Sequence, residues 1–167
     1  MLKNKAIKSA IEKLKKNKIV ILPSDTIYGL SALFNLENEK RINVVKQAPL
    51  DKKNIVLFSS IKQAQQYGLY LTDEIINILK STNPTTVILL DQKETIAIRI
   101  VKRKDIAKII KKVGPIFSSS VNLHSQHQIG DQKKLSEFVF DIELFWDGEL
   151  NSQPSKIYNS LTKEWIR

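Results

Sequence analysis

Apolar residues recur at helical spacing near the amino end. Ile7, Ala10, Ile11 and Leu14 share one face with lysines between them, which predicts an amphipathic helix over residues 3–17 with a basic outer face. A short β-rich run, 18–22, follows and stops at Pro23. Residues 23–30, Pro23-Ser24-Asp25-Thr26-Ile27-Tyr28-Gly29-Leu30, read as a loop punctuated by proline and glycine, with hydroxyls and a carboxylate just past a buried strand. That position, outside the carboxyl end of a strand, is where α/β sheets keep their ligands. Further along, the pattern predicts helices over 36–47, 61–68 and 72–80 and a buried strand over 54–59. The β-branched runs 85–90 and 95–101 flank Asp91-Gln92-Lys93-Glu94 as a hairpin. A basic helix over 104–112, a strand over 115–118, a loop over 121–130 and a helix over 132–140 come next. Short strands over 143–146, 156–158 and 165–167 complete the chain. Helices and strands alternate without repeats, so the expected class is α/β with a mixed sheet, the hairpin adding antiparallel pairing to crossover connections.

Composition narrows the picture. With 167 residues, 42% of them hydrophobic, the chain reads as a single domain, 1–167, with enough apolar material for a core. Its 27 Lys and Arg against 17 Asp and Glu leave a formal charge of +10. Such a balance suits polyanionic company. The arginines are only Arg41, Arg99, Arg103 and Arg167, so the excess is lysine, which the codon usage of an AT-rich genome also produces. Zero cysteines remove disulfide scaffolds, Cys-ligated metals and thiol nucleophiles. No apolar run is long enough for a signal peptide or a membrane span, and the expectation is a soluble cytoplasmic protein with no membrane association. Five glycines, none paired closely, exclude the glycine-rich phosphate cradles of Rossmann and P-loop proteins. A bound nucleotide would be held by side chains, hydroxyls and helix N-termini.

Candidate chemistry is scattered. His124 and His127 stand three apart in a polar loop without an acidic partner nearby, and read as surface histidines rather than metal ligands. Ser118-Ser119-Ser120 lacks the flanking glycines of a nucleophile elbow, which sets a hydrolase triad aside. What remains is a series of polar groups at strand ends and loops: Thr26 with Tyr28, Lys46 with Lys52, Thr86, Arg99, Ser119-Ser120-x-Asn122, Ser155 and Arg167. Each has an ordinary explanation when taken alone. Arg99 reads equally as a strand arginine in an ion pair, Ser155 as a turn residue after Pro154, and the lysines as a solvated face.

Taken in order, these residues resemble the YrdC-like threonylcarbamoyl-AMP synthases, over nearly the whole chain. Pro23-Ser24-Asp25-Thr26-Ile27-Tyr28-Gly29-Leu30 is similar to the family's P-[ST]-[DE]-[ST]-x-[YF]-G-L. Lys46-Gln47-Ala48-Pro49-Leu50-Asp51-Lys52 resembles K-x-R-P-x-x-K, Asn83-Pro84-Thr85-Thr86 resembles G-P-x-T, and Ala97-Ile98-Arg99-Ile100 resembles A-[VI]-R-[VI]. Ser119-Ser120-Val121-Asn122 is similar to T-S-A-N, Pro154-Ser155-Lys156-Ile157 to P-S-T-[IV], and Trp165-Ile166-Arg167 to the family's terminal arginine segment. There are departures: Ala48 stands for an arginine, His124-Ser125 for Ser-Gly, Val101 for a proline and Lys156 for a threonine.

The resemblance implies a twisted, open, mixed parallel and antiparallel sheet flanked by helices, with a basic concave active-site surface. It also implies a reaction, in which L-threonine, bicarbonate and ATP give threonylcarbamoyl-AMP and pyrophosphate for modification of tRNA next to the anticodon. Carried over position by position, Thr26, Arg99, Ser120 and Ser155 hold L-threonine, while Lys46, Lys52, Asn122 and Arg167 hold ATP, with Mg²⁺ arriving on the nucleotide. No covalent nucleophile is needed. The implied partners are a downstream tRNA threonylcarbamoyltransferase complex and, by direct contact, tRNA or double-stranded RNA. Two other readings stay open: an RNA-binding or ribosome-associated module of the same fold without synthase activity, and a paralogue whose ATP use has decayed with the loss of arginine at position 48.

Overall fold

The computed structural model describes residues 1–92, 94–139, 141–150 and 152–167. In chain order the elements are α1 (Asn4–Lys15), β1 (Val20–Pro23), β2 (Tyr28–Leu33), α2 (Leu36–Val45), β3 (Ile55–Phe58), α3 (Ile61–Gln66), α4 (Asp73–Lys80) and β4 (Thr85–Asp91). Then come β5 (Glu94–Ile100), α5 (Lys104–Val113), β6 (Ile116–Ser120), α6 (Gln132–Glu137), β7 (Glu143–Leu144), β8 (Lys156–Asn159) and β9 (Glu164–Trp165). All these strands join one sheet in the order β7-β1-β2-β6-β3-β5-β4-β8-β9. Pairings β1–β7, β3–β5 and β4–β8 are parallel and the rest antiparallel, so the mixed α/β sheet expected from the sequence is present.

Several boundaries differ from the sequence reading. The segment read as loop to Leu30 turns into strand at Tyr28, and β2 pairs with both β1 and β6. Its Gly29, Ser31 and Ala32 carry little β-propensity, and the strand exists because both neighbours bond it. The helix expected over 36–47 ends at Val45, since Gln47 adopts a left-handed φ of 52°. The helices expected over 61–68 and 132–140 stop at Gln66 and Glu137, and Phe140 lies outside the described residues, as does Lys93 of the expected hairpin turn. The 91–94 hairpin itself forms, with Asp91 opposite Glu94. The last short strands are trimmed to 143–144 and shifted to 164–165. Side-chain caps set the starts of α2, α3, α4 and α6: Asn35, Ser60, Thr72 and Asp131 each accept from a backbone amide three residues on.

Strand alternation sorts the core into two layers. Tyr28, Leu30, Val56, Phe58, Val87, Leu89, Ile98 and Phe117 point to one face, where Ile42 of α2, Ala64 of α3 and Ile75 and Leu79 of α4 cover them. On the other face, Val20, Leu22, Leu57 and Ile116, with Val101 just past β5, meet Ile7, Ala10 and Leu14 of α1 and Ile106, Ile109 and Ile110 of α5. The two helices cover only part of that second face. That face also carries the small or polar Gly29, Ser31, Arg99, Ser118 and Ser120, placed by the register Gly29↔Ser120, Ser31↔Ser118 and Leu57↔Arg99, and of these Arg99, Ser118 and Ser120 lie in the uncovered part.

Candidate functional site

Small side chains make the uncovered part of the sheet a hollow. At Gly29 a Cβ would sit 2.4 Å from Ser118 Oγ, so this position takes only glycine unless that hydroxyl moves. Over these residues lies a cavity of about 270 Å³, walled by the 26–28 turn, the end of β6, residues 52–55, the 154–157 segment and Arg167. Among the described residues four cationic side chains line it, Lys52, Lys53, Arg99 and Arg167, and no Asp or Glu side chain does.

The turn before β2 is built to present Thr26. Ser24 Oγ accepts from the amides of Thr26 and Ile27, both at 3.3 Å, and Ser24 N donates to Ile27 O, closing a tight turn. Asp25 fastens this turn to the start of α5: its Oδ1 accepts from the amides of Lys102 at 2.9 Å and Arg103 at 2.8 Å. Farther back, Tyr28 donates its hydroxyl to Gly148 O, accepts from Asp147 N and stacks on Trp146. Arg103 ties that segment down through Asp105 and Asp147. Burial raises the Asp105 carboxyl, but the Arg103 guanidinium and the Leu2 amide outweigh it and hold the group below the usual carboxylate range.

At the floor stands Arg99, 3% exposed. Among the described residues its side chain makes one hydrogen bond, a long one from Nη1 to Thr26 Oγ1 at 3.4 Å, and Nε has no partner. A guanidinium offers five donors, and leaving them unmade in a buried site is costly. Burial pushes its pKa down from the ordinary value, Asp25 opposes that and Arg167 adds to it. Asp25 Oδ2 is likewise buried without a partner. This charge imbalance suits an anionic group bound against Arg99, beside the hydroxyls of Thr26, Ser120 and Ser155.

Ser155 and Arg167 are held together. Ser155 Oγ lies 2.9 Å from Thr86 Oγ1, and its carbonyl accepts from Arg167 Nε at 3.0 Å. The backbone of Arg167 pairs with Ile157, which brings this residue back to the cavity. Six of the eight residues expected at the site therefore border one cavity: Thr26, Lys52, Arg99, Ser120, Ser155 and Arg167.

Lys46 and Asn122, expected on the nucleotide, do not border it. Lys46 is 1% exposed, and its Nζ donates to Ser120 O, to Asn122 O at 3.0 Å and to Asn122 Oδ1 at 2.8 Å. Asn122 Oδ1 also accepts from Ser120 Oγ at 2.5 Å. The pair forms a bracket behind the end of β6, reinforced where His124 N donates to Lys46 O at 2.7 Å. Burial, with Lys52 nearby, lowers the Lys46 ammonium from 10.5 to about 8. His124 and His127 are exposed, and His124 Nδ1 lies 3.3 Å from Lys52 Nζ.

Sequence reasoning missed Asp25 as the anchor of the Thr26 turn, and it missed Asn54. Asn54 N donates to Glu39 Oε1 and its Nδ2 to Asn43 Oδ1, while Asn43 Nδ2 donates to Lys52 O at 2.7 Å. The signal was present in α2, where Glu39 and Asn43 fall four apart on the inward face of the helix beside Ile42.

Comparison with known proteins follows this geometry. The model of the Sua5/YciO/YrdC family, described as "Telomere recombination", matches residues 12–166. Among curated relatives, the threonylcarbamoyl-AMP synthase of Pseudoalteromonas translucida is 24% identical over 180 residues, covering 96% of each chain. That of Psychromonas ingrahamii is 24% identical over 188 residues, covering 100% of this chain and 98% of the other. These relatives carry the name of an enzyme that transfers an adenylyl group. Among solved structures, E. coli YciO superposes with a TM-score of 0.80 at 17% identity, over 98% of this chain and 91% of YciO. P. abyssi Sua5 complexed with L-threonine gives 0.79 at 22% identity, over 96% of this chain. The chain spans about half the length of that Sua5, 52%. With the family model matched over nearly its whole length and the same sheet and helices present, the chain belongs to the Sua5/YciO/YrdC family.

Proposed function

We propose that the chain is an L-threonylcarbamoyladenylate synthase, forming threonylcarbamoyl-AMP and pyrophosphate from L-threonine, bicarbonate and ATP. The observation that carries this reading is Arg99, a buried guanidinium with one weak hydrogen bond, on the floor of a cavity whose other charged side chains among the described residues, Lys52, Lys53 and Arg167, are positive. An amino-acid carboxylate supplies the missing acceptor. Thr26, Ser120 and Ser155 lie around it as partners for the amine and the side-chain hydroxyl. A structural neighbour complexed with L-threonine and relatives named for this reaction support the choice of amino acid.

In the proposed sequence, the threonine amine takes up bicarbonate with loss of water, giving an N-carboxylate. That carboxylate attacks the α-phosphate of ATP and pyrophosphate leaves. No covalent bond to the protein forms, so the protein's contribution is to hold three anionic reactants together and neutralise them. Lys52 and Arg167 border the mouth and hold the triphosphate. Lys46 and Asn122 support from behind by fixing Ser120 and the end of β6. Among the described residues the cavity lining offers no Asp or Glu side chain for a metal, so Mg²⁺ would come with the nucleotide, where it would help neutralise the phosphates. One charge-assisted contact in such a site is worth roughly 1.5–3 kcal/mol, or about ten- to hundredfold. The product is a reactive mixed anhydride, which calls for a separate transferase to deliver the threonylcarbamoyl group to tRNA.

The test is pyrophosphate release from MgATP and bicarbonate, with and without L-threonine, repeated with L-serine. Release should depend on L-threonine and fall sharply with L-serine. Release that ignores both amino acids overturns the reading.

A further inference from the structure

Lys53 borders two cavities of opposite character. One is the cationic site cavity, where it stands with Lys52, Arg99 and Arg167. The other, about 260 Å³, lies toward α2, with an apolar floor that includes Phe34, Val56 and Phe117 and a rim bearing Glu39, Asp91 and Glu94. In the structure Lys53 Nζ sits on Glu94 Oε2 at 2.6 Å. Both side chains are substantially exposed, 46% and 74%. Water screens such a pair, so it is readily exchanged.

Its place in the chain gives Lys53 an alternative. Lys53 lies two residues before Ile55, the first residue of β3, and itself borders the site cavity, while the pair with Glu94 draws its ammonium toward the other one. Nearby position 48, at the turn that follows α2, is an alanine and brings no charge.

We propose that Lys53 is a nucleotide-binding residue held in reserve by Glu94, which it leaves to join Lys52 on the β- and γ-phosphates of a bound nucleoside triphosphate. The direction of exchange follows from charge. A triphosphate offers several charge-assisted acceptors at once, whereas on the other side Lys53 touches the single exposed carboxylate of Glu94, with Glu39 and Asp51 acting on it from farther off. Glu94 thereby acts as a competitor that sets the affinity for triphosphate, and Lys53 supplies the cation that Ala48 does not. This inference rests on the reading of the site as an ATP site.

A double-mutant cycle on the full chain tests it, with MgATP binding measured by titration calorimetry and AMP and L-threonine as parallel ligands. Glu94→Gln should tighten MgATP about two- to fivefold, the reverse of what losing a binding residue does. Lys53→Met should weaken it about tenfold. In the Lys53→Met background, Glu94→Gln should have no further effect. AMP, which lacks the outer phosphates, and L-threonine should bind all variants alike. If the wild type binds MgATP but Glu94→Gln leaves it unchanged or weaker, the exchange is overturned. Tightening by Glu94→Gln that persists without Lys53 overturns it too, since that is only the removal of a distant negative charge. Failure of the wild type to bind MgATP overturns the functional reading and this inference with it.

Discussion

Two ends of one sheet face, built from the same strands, have opposite fates. At the closed end Leu33, Leu57, Val101 and Ile116 meet the apolar faces of α1 and α5. At the open end, one alternation step along each strand, stand Ser31, Arg99 and Ser118, with Gly29 and Ser120 beyond. Backbone geometry is common to both. The difference lies in side-chain volume and polarity: branched apolar residues draw a helix onto the sheet, and glycine and serines cannot repay that burial. The site is thus the part of the sheet that the sequence declines to cover, and the buried Arg99 there feels the Asp25 carboxylate without hydrogen-bonding it, which leaves its donors for an anion in the hollow.

Giving the open end a closed-end residue has the largest expected effect. Arg99→Leu should reduce threonine-dependent pyrophosphate release about a hundredfold or more, while the unfolding midpoint holds or rises, because an unpaired buried charge is replaced by an apolar side chain. Should the midpoint drop by many degrees, Arg99 is a structural residue and the distinction between the two ends fails.

The reciprocal change opens the closed end. Ile116→Ala, at a fully buried position, should cost about 2–5 kcal/mol in urea unfolding, with the KM for L-threonine unchanged where the protein is folded. A change in KM comparable with that of a site variant would mean that the two ends are not separable.

A smaller effect comes from Lys46, which supports the open end from beneath. As pH rises through about 8 its ammonium loses the charge and a donor shared among Ser120 O, Asn122 O and Asn122 Oδ1, so kcat/KM should fall, to about half near that pH. Stability should move the other way. The folded pKa is below the ordinary 10.5, so between pH 8 and 10.5 the unfolded chain binds more protons and this group's contribution to stability rises with pH. Rate and melting temperature measured across that range check both signs, and an alkaline limb that survives in Lys46→Met removes Lys46 from the account.

Much of the site was legible because its residues sit in short ordered segments, and six of the eight that the resemblance indicated border one cavity. The other two show what such segments leave out. Lys46 and Asn122 have the right chemistry for phosphate, but the chain turns at Gln47 and closes after β6, so Lys46 donates to Ser120 O and to Asn122, while Asn122 accepts from Lys46 and Ser120 Oγ and donates to Leu123 O and Gln126 O. Strand β2 was missed for a related reason: Gly29 and Ser31 are poor strand residues alone and are required only because Ser118 approaches from the neighbouring strand.

By itself the sequence determined the alternation of helices and strands, the absence of thiol chemistry and glycine-rich phosphate loops, and the identity of the polar groups that gather at strand ends. These depend on local periodicity and residue type. Tertiary structure alone decided which end of the sheet face stayed open, that Arg99 is buried there with no carboxylate hydrogen-bonded to it among the described residues, and that Lys53 stands between a cationic and an acidic cavity. Those facts arise from strands far apart in the chain, and the desolvation and charge balance that give them meaning exist only once those strands have met.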